Sequence, residues 1–379
     1  MGARQRALVI LFSLMVAMAT TALLLVTGSS SVDPQTSRRG IRVAGTTATD
    51  LSLFRGEVLV WATGRLSATE VGRVRDSARV AAISAVRTGL LPVASGRHAF
   101  PVIPVEAMSV DPDAYAFALG RAGAPLLSML SRGVVLSRTS ANLRKLRAGG
   151  HLRLTGNRPL AVSGVVDDRW LGGHEVAMDL ERGRHLGIDQ VGYLLLRPRG
   201  SRDALETAMR GLLHGRTLAF RHPDQGPWFR AGDGTLPLSQ VKLRFGEFAV
   251  TSLAKPVPDP HWVQAKIITL TVPLLGQVRC HRTVAVDLAA AMADLRRQHL
   301  EALVDVGAFR RAGGCLQPPA TLAGPGGLSH QVWGIGLDLA GGSRVDQRLI
   351  ATMARHGFAW GGRWLQPRAG HFEWAGSGA

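Results

Sequence analysis

The chain has 379 residues, of which 46% are hydrophobic, so it is long enough for two domains with real cores and is not a disordered protein. Its formal net charge of +18 at pH 7 favours anionic partners. Because the cationic residues are spread along the chain and no motif interleaves them with aromatic residues, we do not expect nucleic-acid binding.

The charge and hydrophobicity of the N-terminus predict the cellular location of the protein. A basic start, MGARQR, precedes an uncharged apolar run from Ala7 to Val26 that is long enough to span a bilayer as a helix. The positive flank predicts a cytoplasmic N-terminus and an extracytoplasmic remainder, as in a single-pass protein of the cell membrane. We interpret residues 1–27 as an uncleaved anchor, and a cleaved signal peptide, which would make the protein secreted, is the alternative.

Residues 28–50, rich in Ser, Thr and Gly, predict a flexible stalk.

Residues 51–255 are predicted to form an α/β domain. GEVLVWATG has the composition of a strand, and a capping box from Ser67 to Glu70 predicts the start of a helix. The segments VAAISAV and HAFPVIPVEAMSV predict strands. SRDALETAMRGLL then repeats the pattern of a Ser cap and a helix, and TLAFRH follows as a strand. Two helix-then-strand units indicate a ferredoxin-like arrangement.

A β-rich insert is predicted between those two units, with turns at Gly149, Gly150 and Gly156. The residues IPVEAMSVDPDAYA and GVVLSRTSANLRKLRAGGHLRL resemble the extracytoplasmic domains of MacB- and FtsX-like permeases. Such domains carry no chemistry and make protein contacts. The resemblance implies that the middle region docks onto a membrane or wall protein, such as a transporter or a division complex.

Two further features organise the C-terminal part. The proline-rich stretch AKPVPDPHWV marks a domain boundary near residues 256–260. Cys280 and Cys315 are the two cysteines of the chain. In an exported protein this number favours one disulfide, and two buried free thiols are the alternative.

Residues 261–379 contain an ordered series of motifs: a Cys, GGC, WGIGLDL, GFAWGGRW and HFE. This series resembles the VanY-like zinc D-alanyl-D-alanine carboxypeptidases. The resemblance implies an α+β peptidase domain, a zinc cofactor and peptidoglycan stem peptides as the ligand. Carried over by position, it implies that Asp338 and His371 are metal ligands and that Cys280 pairs with Cys315. Three tryptophans are expected in the core and cleft walls: Trp333, Trp360 and Trp364.

The same alignment shows departures in the site. The position of the first His ligand holds Gln331, with His330 one place earlier, and the position of the catalytic base holds Arg368. The arginine expected after GGC has no counterpart. Glutamine is a poor zinc ligand, and an arginine cannot act as a base.

The departures leave the enzyme question open between two hypotheses. In the first, the domain is a catalytically impaired pseudoenzyme that binds wall peptides or a partner, with zinc absent. In the second it is an active zinc metallopeptidase, with His330, Asp338 and His371 as ligands and Glu373 as the candidate base. In the first case Asp338 and His371 remain as a hydrogen-bonded pair or retain weak metal binding.

Overall fold

The structure is a computed structural model that describes residues 56–120, 123–221, 236–317, 328–342, 344–364 and 367–376. The predicted anchor and stalk lie outside these residues. Within the described ranges, no helix is long and apolar enough to cross a membrane. The described part is a mixed α+β structure with one large sheet and two small ones.

The strands, in chain order, are β1 Val58–Ala62, β2 Val80–Ala94, β3 Val102–Val110, β4 Val134–Ser137, β5 His151–Leu154, β6 Arg158–Val166, β7 Val176–Asp179, β8 Val191–Pro198, β9 Leu218–Arg221, β10 Ile267–Val272, β11 Gly276–His281, β12 Gly336–Asp338, β13 Phe358–Trp360 and β14 His371–Trp374. The α-helices are α1 Ala68–Arg75, α2 Pro112–Leu119, α3 Gly123–Arg132, α4 Arg138–Leu143, α5 Leu180–His185, α6 Arg202–Leu212, α7 Leu238–Phe245, α8 Pro260–Lys266, α9 Arg282–Arg297, α10 Val306–Arg311 and α11 Gln347–Arg355.

Four strands of the large sheet form the predicted ferredoxin-like unit. They lie in the order β2-β8-β1-β9, and each neighbouring pair is antiparallel. Helix α1 connects β1 to β2, and α6 connects β8 to β9. The capping box predicted at Ser67 and Glu70 begins α1, and the Ser201 hydroxyl accepts a hydrogen bond from the Ala204 amide at the start of α6. The helix-then-strand units are therefore confirmed.

The insert between the two units extends the same sheet and closes it on itself. Its strands continue from β2 in the order β5-β6-β4-β7-β3, and β3 pairs back with β2 over Arg87–Ala94 and Val102–Ser109. Such a ring of six strands leaves no free edge. Its interior holds an apolar core that includes Leu91, Val105 and Leu136. The β-rich insert of the sequence prediction is thus a small closed barrel.

The C-terminal region forms around a different core. The hairpin β10–β11, helix α9 and a three-stranded sheet in the order β12-β14-β13 contribute to it. Helix α7 packs its apolar residues Val241 and Phe245 into the same core, although it precedes the proline-rich stretch. The predicted boundary at residues 256–260 stays a prediction.

A buried ion pair links α7 to the barrel. Lys242 is 1% exposed, and its Nζ donates to Glu175 Oε2 at 2.8 Å and to the Pro104 carbonyl at 2.6 Å. Glu175 is fully buried, and its other oxygen lies 3.1 Å from Nη2 of Arg144. Sequence reasoning missed this pair, because its members are 67 residues apart and no local pattern joins them.

The electrostatics of Glu175 follow from this arrangement. Burial raises the pKa of its carboxyl, but the positive charges of Lys242 and Arg144 outweigh burial, and the pKa lies below its ordinary value. Glu175 is therefore ionised in the folded protein. A buried carboxylate of this kind depends on its cations, because an unpaired charge in an apolar interior is strongly unfavourable.

We predict that Lys242→Met lowers the free energy of unfolding by about 3–5 kcal/mol, because it leaves the Glu175 charge buried beside Arg144 alone. Urea denaturation followed by circular dichroism measures the change. The exposed Lys255 provides the matched control, and Lys255→Met should change stability by less than about 0.5 kcal/mol. Equal losses in the two variants would contradict the assignment.

Candidate functional site

The three-stranded C-terminal sheet forms the floor of the predicted site. Its antiparallel register places Asp338 opposite His371 and Gly336 opposite Glu373. Paired residues, and residues two apart on one strand, point to the same face of a sheet. These four positions therefore share one face, which brings both predicted metal ligands of the sheet together.

A short 3-10 helix, His330–Trp333, covers that face. The Ser329 hydroxyl caps its first turn, and Gly334 ends it with a left-handed backbone, φ 69°. A Cβ on Gly336 would lie 3.2 Å from Gln331 and 3.1 Å from His371 Nε2. The missing side chain at this position therefore lets the helix and His371 approach the sheet closely.

Asp338 is surrounded by donors. Its Oδ1 lies 2.8 Å from Nδ1 of His371, and its Oδ2 accepts from the Gln331 amide at 3.2 Å. Nη2 of Arg368 lies 3.4 and 3.5 Å from the two carboxylate oxygens. The residue at the predicted base position thus contacts the predicted aspartate ligand directly.

Glu373 lies between two imidazoles. Its Oε2 is 2.8 Å from His330 Nδ1, and its Oε1 is 3.6 Å from His371 Nε2. The side chains of His330, Glu373 and His371 are at most 2% exposed. The Glu373 carboxylate is therefore enclosed between the two histidines, and its role as a candidate base stays a prediction.

The two carboxylates of the site are both held ionised. Burial raises the pKa of Asp338, but the hydrogen bond from His371 and the charge of Arg368 outweigh it and lower the pKa. Burial also raises the pKa of Glu373, yet its contacts with His330 and His371 bring the pKa well below the usual range. Burial lowers the pKa of His371, but its hydrogen bond to Asp338 and the nearby negative charge of Glu373 raise it overall. In this cluster, the negative charges of Asp338 and Glu373 are offset by the imidazole and guanidinium groups that contact them.

The donor set does not fit the expected zinc site. A catalytic zinc needs three ligand atoms that converge on one point and an open position for water. Here the Gln331 amide and the His371 Nδ1 are directed at Asp338, and His330 Nδ1 is directed at Glu373. Across the described residues, no group of three or more His, Cys, Asp or Glu side chains is arranged to hold a metal ion. Among the described atoms of this cluster, Nε2 of His330 and Nε2 of His371 are buried without a hydrogen-bond partner.

The three predicted tryptophans have different positions. Trp333 is fully buried, and its indole donates to the Gly246 carbonyl at 3.0 Å, so it belongs to the core and does not line a cleft. Trp364 packs edge-on against the ring of His371, with centroids 5.1 Å apart. Trp360 is half-buried and donates to the Ala369 carbonyl at 2.6 Å. Trp360 and Trp364 therefore contact Ala369 and His371, two residues that follow Arg368 in the chain.

A disulfide and a histidine hold the site to the rest of the C-terminal core. Cys280 and Cys315 form the predicted disulfide, and both are fully buried. The next residue, His281, caps helix α9: its Nδ1 accepts from the Thr283 amide at 3.2 Å, so its Nε2 carries the proton and donates to the Phe245 carbonyl at 3.2 Å. The His281 amide also donates to the Gly334 carbonyl, at the end of the 3-10 helix.

Comparison with known proteins finds structural similarity over less than half of the chain. No protein-family model and no curated protein matches it. Among solved structures, it is similar to the periplasmic region of MacB from Actinobacillus actinomycetemcomitans, with a TM-score of 0.32 and 12% identity over 46% of this chain and 91% of the other. It is also similar to the extracellular domain of the noncanonic ABC-type transporter YknZ from Gram-positive bacteria, with a TM-score of 0.30 and 12% identity over 44% of this chain and 98% of the other.

The first neighbour is a periplasmic region and the second is the extracellular domain of an ABC-type transporter. Likeness at this level carries no activity and no partner over to this chain. The peptidase resemblance of the C-terminal region stays a prediction.

We predict that the double substitution Cys280→Ala and Cys315→Ala lowers the free energy of unfolding by about 3–4 kcal/mol. The disulfide closes a loop of 35 residues, and its removal increases the conformational entropy of the unfolded chain. Denaturation of the double variant and of the parent chain, with and without a thiol reductant, measures the effect. The reductant should destabilise the parent chain alone; a double variant as stable as the parent would contradict the prediction.

We also predict that protonation of His281 at acid pH lowers the free energy of unfolding. Burial and the neighbouring positive charges lower its pKa to about 4, despite the hydrogen bond to Phe245. Because the folded pKa lies below the unfolded value of about 6.5, this contribution is present above pH 6.5 and is lost as the pH falls toward 4. Relative to His281→Asn, which caps the helix without titrating, the parent chain should lose roughly 2–3 kcal/mol between pH 7 and pH 4. Parallel pH profiles of unfolding for the two proteins would refute this role.

Proposed function

We propose that the chain is a membrane-anchored extracytoplasmic protein whose C-terminal region is a peptidase-like domain that binds peptide ends and does not cleave them. The observation that carries the proposal is the contact between Arg368 and Asp338. A permanent guanidinium charge stands next to the carboxylate that a zinc ion would need, and it repels a divalent cation. The other donors on Asp338, from Gln331 and His371, act in the same direction.

The proposed ligand is the D-alanyl end of a peptidoglycan stem peptide, as the family resemblance implies. The Arg368 side chain is 35% exposed, whereas the other charged members of the cluster are more deeply buried. Its distance of 3.4 Å to Asp338 is longer than the 2.7–2.9 Å typical of a tight charge-assisted hydrogen bond. The exposure of Arg368 supports a role in which its guanidinium donates hydrogen bonds to the terminal carboxylate of a peptide.

The middle region has a proposed role of its own, which is contact with a membrane or wall protein. The proposal rests on its sequence resemblance to extracytoplasmic permease domains. The barrel has no catalytic constellation that sequence analysis would single out. Its acidic and basic residues that lie inside, such as Glu175 and Arg144, are engaged with each other.

Calorimetry on the full chain in detergent tests the C-terminal proposal. We predict no one-to-one zinc binding, and we predict binding of a peptide that ends in D-Ala-D-Ala. Arg368→Ala should weaken peptide binding by at least about tenfold, since a charged hydrogen bond contributes about 1.5–3 kcal/mol. Arg348→Ala, at an exposed arginine that is paired with Asp346, is the matched control and should bind the peptide normally.

The double substitution Gln331→His and Arg368→Glu provides a positive control, because it restores the ligand and the carboxylate that the family resemblance implies. It should gain measurable zinc binding. One-to-one zinc binding by the parent chain, lost in His371→Ala, would contradict the proposal and favour the active metallopeptidase. A parent chain that binds neither zinc nor the peptide would refute the peptide ligand.

A further inference from the structure

The barrel hairpin carries an unusual charge distribution. From Arg138 to Val166 the sequence has no Asp or Glu, and the structure describes every residue of this stretch. The cations in it are Arg138, Arg144, Lys145, Arg147, Arg153 and Arg158. Arg144 turns inward to Glu175, while the others are exposed. The excess positive charge of this segment therefore lies on the outer surface.

The alternation of strand β5 separates an apolar inner side from a cationic outer side. Leu152 and Leu154 are buried in the barrel core, whereas His151 and Arg153 point outward and are exposed. Their partners across the ladder on β6 are Ala161 and Pro159, which are also exposed. Small residues beside the cations leave the outward surface of the hairpin flat and accessible.

The loop that leads into β5 adds two more exposed cations, Lys145 and Arg147. Within the described residues, neither of these nor Arg153 lies in an ion pair with a carboxylate. We call Lys145, Arg147, His151 and Arg153 the basic hairpin face.

The face ends at Arg158. This arginine lines a surface depression together with the acidic side chains of Asp179 and Glu181, so its charge is partly balanced. The stretch without acidic residues thus gives the hairpin a local excess of positive charge. This excess creates a positive potential that attracts an anionic surface from a distance of about a Debye length.

We propose that the basic hairpin face docks onto the anionic phospholipid surface of the membrane. A flat cationic face fits a planar anionic surface, and it needs no pocket for the headgroups. The inference rests on the proposed N-terminal anchor, which would tether the domain to that membrane. Residues 28–55, fully extended, would span at most about 100 Å, so the face stays within reach of the bilayer and docking is intramolecular.

Energy transfer to labelled lipid tests the docking on the full chain in lipid nanodiscs. Because both cysteines are joined in a disulfide, Ala148→Cys introduces a single reactive thiol next to Arg147 for a donor dye. Discs that contain phosphatidylglycerol are compared with discs of phosphatidylcholine alone. We expect higher transfer efficiency in the anionic discs and a decrease as salt is added.

The double substitution Arg147→Glu and Arg153→Glu should lower the ratio of docked to undocked protein by at least about 25-fold, since each cation near an anionic surface contributes about fivefold. Arg296→Glu with Arg310→Glu makes the same charge change at exposed arginines of the C-terminal region and should leave the transfer unchanged. All variants should keep the Tm of the parent chain.

The outcomes separate the docking from the anchor. If the chain enters both kinds of disc but shows equal transfer in them, docking is refuted and the anchor stands. If it enters neither kind, the proposed anchor fails and the docking fails with it. If a soluble glycerol-phosphate polymer changes the transfer of the parent chain at constant ionic strength while phosphatidylglycerol does not, the lipid is not the occupant and the proposal is overturned.

Discussion

The buried ion pair between Lys242 and Glu175 is the interaction on which the rest of the structure depends. It ties helix α7, whose apolar side belongs to the C-terminal core, to a glutamate at the edge of the barrel. Both side chains are almost completely inaccessible, so each charge needs the other to remain inside the protein. The antiparallel bridge between Val102 and Val250 reinforces the same junction with two backbone hydrogen bonds.

The C-terminal end of α7 is hydrogen-bonded to the elements that surround the candidate site. The Phe245 carbonyl accepts from His281, the Gly246 carbonyl accepts from the Trp333 indole, and the Arg244 guanidinium donates to the Ala375 carbonyl. These three bonds reach the start of α9, the 3-10 helix and the residue after β14. A single helix therefore orients the elements that hold Asp338 and Glu373, which explains how a polar cluster can be buried without losing its geometry.

Sequence reasoning found much of the candidate site, because its members follow short, ordered motifs. The contact between Asp338 and His371, the disulfide and the contact of Arg368 with the aspartate all involve residues that the motifs had singled out. The pairing of Glu373 with His330 was not predicted, since it depends on how the 3-10 helix lies over the sheet. Trp333 was expected in the core or the cleft walls, and it is fully buried in the C-terminal core. Hydrophobicity alone does not distinguish these two positions.

The sequence by itself determined the local elements of this protein. Runs rich in apolar and β-branched residues specified the strands, and Ser caps specified the starts of α1 and α6. Two helix-then-strand units specified the ferredoxin-like half. These signals act over a few residues, where propensity and capping dominate. Only the tertiary structure decided that the insert closes into a barrel, that α7 joins the C-terminal core and that Glu175 is matched by Lys242. Those features pair residues far apart in the chain, and their free energy comes from burial and charge compensation that no local pattern records.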